Sequence, residues 1–148
     1  MDKEKHYRGL ENMYKAAPIN EFFQPQITVS ESTAIIEISL SDKYHHSAGG
    51  VHGSVYFKML DDAAFFAANS LEFDVFVLTG TFTTKLTKPV ASGIMKAIGR
   101  VTEATDSKIT AEASVYNTDG VEIGKGSGVF VRGKHLLKEA SGYDTPLR

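Results

Sequence analysis

The sequence predicts an α+β chain in which an antiparallel sheet wraps around one long central helix, with a further helix at the N-terminal end. Three observations carry this reading. Residues 53–71 are apolar on nearly every side of a helix, broken only by Lys58, Asp61 and Asp62 before Asn69, and a helix apolar all round is buried in its domain. From residue 75 onward the chain reads as strand, in four long segments joined by short turns. Such a sheet must cover one face with something apolar, and the 53–71 helix is the one segment long enough to do it.

The elements follow in order. Residues 2–17 place Tyr7, Leu10, Met13, Tyr14 and Ala17 at helical spacing, with Pro18 as a stop. Two strands are expected at 27–30 and 33–41. In the second, Ala34, Ile36, Ile38 and Leu40 form one face and Thr33, Glu37 and Ser39 the other. A polar loop at 45–52 carries three of the five histidines, His45, His46 and His52. After the helix, the segment 75–88 sets Phe76, Leu78, Phe82 and Leu86 against Thr79, Thr81, Thr83 and Lys85. Pro89 ends it, because a proline nitrogen cannot donate to a ladder. A less regular strand covers 93–104, and 108–117 turns Ile109, Ala111, Ala113 and Val115 inward. Asn117-Thr118-Asp119-Gly120 is a hairpin turn. In 121–132, Gly124, Gly126 and Gly128 alternate beside Val121, Ile123, Val129 and Val131, leaving room for another backbone or for the helix. The tail, 133–148, is polar apart from Leu136 and Leu137, and a loosely held segment is expected. No repeat or linker divides the chain, so a single domain over 1–148 is expected.

Composition narrows the function. A chain of 148 residues is one domain by length. A net charge of −2 without a basic run speaks against a nucleic-acid partner. The absence of cysteine excludes disulfides, thiolate nucleophiles and cysteine metal sites. The opening residues lack the apolar core of a signal peptide. Lys58, Asp61 and Asp62 at the centre of the long helix argue against a membrane span. A cytoplasmic protein is the expectation.

Carboxylates in the middle of a buried helix need a reason, and the start of the same helix offers the complementary half of a site. Its unpaired N–H groups and positive dipole end favour negative charge. Gly53, lacking a side chain, lets a ligand come close to those amides. A developing oxyanion there, within reach of a carboxylate, outlines acyl-group chemistry. Adjacent residues point about 100° apart on a helix, so Asp61 and Asp62 cannot both face one site. Lys58 is spaced to pair with either, and that pairing is assigned to Asp62. His45, His46 and His52 bring a metal site to mind, but two are neighbours and no supporting carboxylate spacing is visible. No metal or organic cofactor is therefore expected. His52 has two open readings, a bond within the loop or a place in the site. His46 is placed in the site, while His6 and His135 are expected at the surface. Tyr56, Phe57, Phe65 and Phe66 read as core.

The run Gly49-Gly50-Val51-His52-Gly53, with Asp61 nine positions after the histidine and a strand ending in Lys88-Pro89 shortly before Gly93, resembles the hotdog-fold acyl-CoA thioesterases of the PaaI-like, phenylacetate-pathway type. The resemblance covers about residues 10–132. It implies that the Gly53 N–H polarises a thioester carbonyl and that Asp61 is the nucleophile or the general base. It also implies that His52 shapes the site, that Thr79 orients the water, and that Gly50, Ser54 and Lys88 lie on the substrate side. Lys85, Arg100 and Arg132 are further cations near strand ends that could meet coenzyme A phosphates. In such enzymes the aspartate of one subunit faces the glycine of another, so a homodimer or dimer of dimers acting on acyl-CoA is implied. Two departures stand out: His46 occupies a position where many members have asparagine, and Ser54 replaces a second glycine. Two rival functions remain. One is a hotdog dehydratase pairing His46 with Asp61, although the proline-rich loop of those enzymes is missing. The other is a non-catalytic acyl-CoA binding module, although residues 1–17 offer no basic face for a DNA-reading segment.

Overall fold

Asp2 accepts a hydrogen bond from the Lys5 N–H at 3.1 Å and so caps the first helix, α1 (Lys3–Ala16). Its buried face carries Tyr7, Leu10, Met13 and Tyr14, as the spacing predicts. Pro18 ends α1 but immediately opens a second, one-turn helix, α2 (Ile19–Phe23); proline's fixed φ suits the start of a helix as well as its stop. The computed structural model describes residues 2–144. After α2 come β1 (Gln26–Ser30), β2 (Thr33–Ser39), the central helix α3 (Gly53–Asn69), β3 (Val75–Leu86), β4 (Ile94–Ala104), β5 (Ile109–Tyr116) and β6 (Glu122–Leu136).

The six strands form one antiparallel sheet in the order β1-β2-β4-β5-β6-β3, with β1 and β3 at its edges. Its concave face holds α3. Ile36, Met95, Ala97, Ile109, Ala111, Val115, Ile123 and Phe130 from the strands and Met59, Leu60, Ala63, Ala64, Ala67 and Ala68 from the helix are buried together. The four alanines let the sheet come close to the helix backbone. The closest approach is at Gly99 of β4, where a Cβ would overlap the Ala63 carbonyl. This architecture is the hotdog fold.

Five expectations need correction. Phe57, read as core, is 43% exposed. Phe76, Leu78, Phe82 and Leu86 do not share one face of β3, because pairing with β6 shifts between Val75 and Val77 and again between Thr79 and Thr81. Val77 is buried, whereas Leu78 is 51% exposed. The glycine stripe of β6 admits not the helix but the other alternative, a backbone, together with a ring: a Cβ at Gly126 or Gly128 would lie 2.5 Å from the Phe82 ring and 2.7 or 2.8 Å from the Thr83 or Thr81 carbonyl oxygen of β3. Residues 133–144 are not loosely held. β6 continues to Leu136, Leu137 is buried, and its N–H donates to the Asp74 carbonyl at 3.0 Å; residues 145–148 of the expected tail lie outside the described residues. Finally, His6 is not at the surface. It is 3% exposed, with Nδ1 2.6 Å from the Tyr143 hydroxyl and Nε2 2.9 Å from the Asn69 carbonyl oxygen.

Candidate active site

The residues singled out in the sequence gather at two places along α3. The first is the helix start. His52 is the N-cap: its Nδ1 accepts from the Ser54 N–H at 3.1 Å and lies 2.8 Å from the Ser54 hydroxyl. A neutral imidazole that accepts at Nδ1 carries its proton on Nε2, so His52 offers an outward donor beside the Gly53 amide. Of the two readings of His52, the bond within the loop is the one observed, and it fixes the ring's orientation at the helix start. The preceding loop is tied down by backbone bonds. The His46 N–H donates to the Gly50 carbonyl at 2.9 Å, the Gly49 N–H to the His46 carbonyl at 3.0 Å, and the Val51 N–H to the Val90 carbonyl at 2.8 Å. Gly49 has φ +85°, a conformation that favours glycine. His46 is exposed, and its ring lies over Gly50, where a Cβ would be 3.2 Å from Nε2. The Tyr56 hydroxyl donates to the Lys88 carbonyl at 2.8 Å, which brings the exposed Lys88 to the same end of the helix. His46, Gly50, His52, Gly53, Ser54 and Lys88 therefore form one neighbourhood.

The second place is the middle of the helix. The Thr79 hydroxyl, from edge strand β3, donates to Asp61 Oδ1 at 3.0 Å. Asp61 lies in a cleft of about 370 Å³ whose walls include Tyr14, Lys58, Phe65, Phe76 and Leu78. Burial pushes the Asp61 carboxyl above the usual aspartate range; the Thr79 bond opposes that rise, the neighbouring Asp62 charge adds to it, and the Lys58 charge lowers it. Asp62 has its own partners: the Tyr14 hydroxyl donates to Oδ2 at 2.7 Å, and the Lys58 ammonium pairs with the same oxygen. Asp62 thus takes the Lys58 pairing that its spacing suggested. Burial, then the Asp62 charge, raise the Tyr14 phenol far above its ordinary pKa, so it remains a donor.

The two places are not brought together within one chain. Gly53 and Asp61 are separated by two turns of the same helix, a rise of about 12 Å.

Of the other cations, Arg100 is engaged by Glu112, and Arg132 by Glu72 and the carbonyls of Thr105 and Asp106. His45 is also spent, with Nε2 2.7 Å from the Ala91 carbonyl oxygen. Among the described residues no helix is long and apolar enough to cross a membrane. The sequence did not point to Tyr14 or Asn20 as cleft residues. Tyr14 was visible only as one apolar position of an amphipathic helix.

A family model described as the thioesterase superfamily matches residues 48–123, a span that includes the loop, Gly53, Asp61 and Thr79. The chain belongs to the thioesterase superfamily. Membership supports an acyl-thioester hydrolase in general terms. Solved structures share the fold at low sequence identity. The PaaI protein of the Escherichia coli phenylacetic acid degradation operon is 16% identical, with a TM-score of 0.82 over 90% of this chain and 97% of that one. A thioesterase family protein from Silicibacter pomeroyi is 19% identical, with a TM-score of 0.78 over 86% and 99%. A conserved protein from Pseudomonas aeruginosa is 22% identical, with a TM-score of 0.74 over 79% and 94%. No curated protein gives a significant sequence match. The superfamily member described here has the PaaI-like form of the hotdog fold.

Proposed function

We propose that this protein hydrolyses an acyl-CoA thioester to a free carboxylic acid and coenzyme A. The observation that carries the reading is Asp61 itself, a partly buried carboxylate in the cleft, held by the Thr79 hydroxyl and pushed toward basicity by burial. A base is most effective when its pKa approaches the working pH. Asp61 takes a proton from a water that Thr79 helps to orient, and the water oxygen attacks the thioester carbonyl. The developing oxyanion is met by the Gly53 N–H, the helix dipole and the Nε2–H of His52. The C–S bond then breaks, and the departing coenzyme A thiolate takes up a proton. Gly50 and Ser54 border the thioester, and Lys88 is available to the phosphates of coenzyme A. No resident metal or organic cofactor has a role in this scheme.

A thioester carbonyl cannot touch groups about 12 Å apart on one helix. The reading therefore includes a homodimer in which Asp61 of one copy faces Gly53 of the other. The free edge of β3, with Leu78, Leu86 and Phe57 exposed beside it, supports that surface as the dimer contact.

The experiment is thiol release from short, long and aromatic acyl-CoAs, with Asp61→Asn beside the wild type. Turnover by the wild type and a loss of about a thousandfold or more in the variant are expected. Equal cleavage by both proteins would remove Asp61 from the reaction. Binding of acyl-CoA without turnover by the wild type would make the protein a binding module. A single turnover in ¹⁸O-water separates the two roles of the carboxylate, because label enters Asp61 only if it attacks directly.

A further inference from the structure

Lys58 stands three residues before Asp61 and four before Asp62, and both spacings bring an ammonium within reach of a carboxylate on a helix. The structure resolves that choice in one direction. The Lys58 Nζ pairs with Asp62 Oδ2, approaches the Tyr14 hydroxyl oxygen at 3.3 Å, and lies 5.0 Å from the centroids of both the Tyr14 and Phe23 rings. The Tyr14 hydroxyl donates to the same Asp62 oxygen. Asp61, one residue earlier, has the neutral Thr79 hydroxyl as its hydrogen-bond partner among the described residues. We infer that Asp62 and Tyr14 are a positioning pair that holds the Lys58 ammonium away from Asp61, so that the carboxylate of the proposed reaction is not neutralised by its own helix. The inference rests on the reading of Asp61 given above.

The charges around Asp61 make the consequence specific. From α3 it faces Lys58 and Asp62, from α1 Tyr14, and from β3 only the uncharged Thr79. An ammonium moved onto Asp61 would favour its charged form and weaken it as a base. Two of the three members of the cluster lie on α3. Tyr14 comes from α1, outside the residues that match the family model. Part of the hold on Lys58 is therefore contributed by a segment that the superfamily match does not include.

The test uses the full chain with Asp62→Asn, alone and combined with Lys58→Met. Asparagine keeps an oxygen for the Tyr14 hydroxyl and removes the charge that retains Lys58. Two quantities are read: the titration midpoint of the Asp61 carboxyl by ¹³C NMR, and the pH profile of kcat and kcat/KM. In Asp62→Asn the midpoint and the acid limb of kcat/KM are expected to move to lower pH, with kcat down by about tenfold and KM little changed. Adding Lys58→Met is expected to return the midpoint and kcat toward wild type. An unmoved midpoint in Asp62→Asn overturns the inference. So does a midpoint that falls equally with and without Lys58, because the lost Asp62 charge alone then accounts for it. The NMR titration judges the positioning whether or not Asp61 is catalytic. Full activity in Asp61→Asn would instead sink the reading of the reaction.

Discussion

The start of α3 and its middle are built in opposite ways. At the start, the groups assigned a role in the proposed reaction are largely backbone. They are an amide, a dipole and a loop closed by its own hydrogen bonds, and the side chains of His46, His52 and Ser54 are exposed. In the middle, the working groups are side chains from three separate elements, converging on two adjacent carboxylates in a half-buried cleft. A backbone site tolerates changes in its side chains as long as the turn and the helix start survive. A side-chain site depends on every element that packs against it. Substitution and pH should therefore act differently on the two halves.

The largest effect is expected from Asp61→Asn, and its stability should move the other way from its activity. A carboxyl whose folded-state pKa is raised costs stability once the pH exceeds that pKa. The variant should accordingly melt at a higher temperature than the wild type at pH 7 to 8. The gain should shrink as the pH falls through the folded-state value and be gone below about 4, where an unfolded aspartate is also protonated. Calorimetry across that range checks both signs.

Gly53→Pro tests the other half by removing one N–H; its Cβ would lie 3.2 Å from Leu86 Cδ1, the end of an exposed side chain that can shift. Gly53 is the first helical residue, where proline is tolerated, and His52 before it is already extended with φ −61° and ψ 140°. A loss of about a hundredfold in kcat is expected, with the melting temperature nearly unchanged. Mixed dimers of Gly53→Pro and Asp61→Asn chains should regain activity, since one composite site then keeps both groups. Failure to regain it would break the proposal that the halves come from different subunits.

Thr79→Val should be milder, with a loss of about tenfold. The Thr79 bond lowers the Asp61 pKa, so removing it should shift the acid limb of kcat/KM to higher pH, opposite to the shift expected for Asp62→Asn.

The smallest effect concerns His6, far from either half. Burial lowers its pKa, and a backbone bond to Asn69 with the nearby Glu72 and Asp74 charges only partly offsets that. The unfolded chain therefore binds a proton before the folded one does. Its contribution is complete above about pH 6.5 and is lost as the pH falls toward the folded-state value. A gentle drop in melting temperature between pH 7 and pH 5 should flatten in His6→Asn.

The same contrast explains what the sequence revealed. The local geometry of the helix start could be read directly, because a helix opening at Gly53 and a histidine bonded within its own loop are local features. Regular strands were equally readable: Ala34, Ile36 and Ile38, and the alternation from Ile109 to Val115, face the core as predicted. The rest depended on partners distant in the chain. His6 looked like a surface residue because its acceptor and donor lie at Asn69 and Tyr143. α2 is a single turn, too short to show a period. The Tyr14 hydroxyl acquires its role only through Asp62, 48 positions away.

Strand β3 misled for a more instructive reason. Thr79 stands opposite Phe130 and Thr81 opposite Val129, which leaves Gly80 as one residue too many. Ahead of it the odd-numbered residues Val77 and Thr79 are turned to the helix, and Thr79 meets Asp61. Beyond it the even-numbered Phe82 is turned inward, its ring edge-on to Phe57 with centroids 5.6 Å apart. Gly80 thus changes the parity of the strand partway along. A single β-strand can then present a hydroxyl to the Asp61 carboxylate at one end and an aromatic ring to the fold at the other, two duties that strict alternation would assign to opposite faces of the sheet.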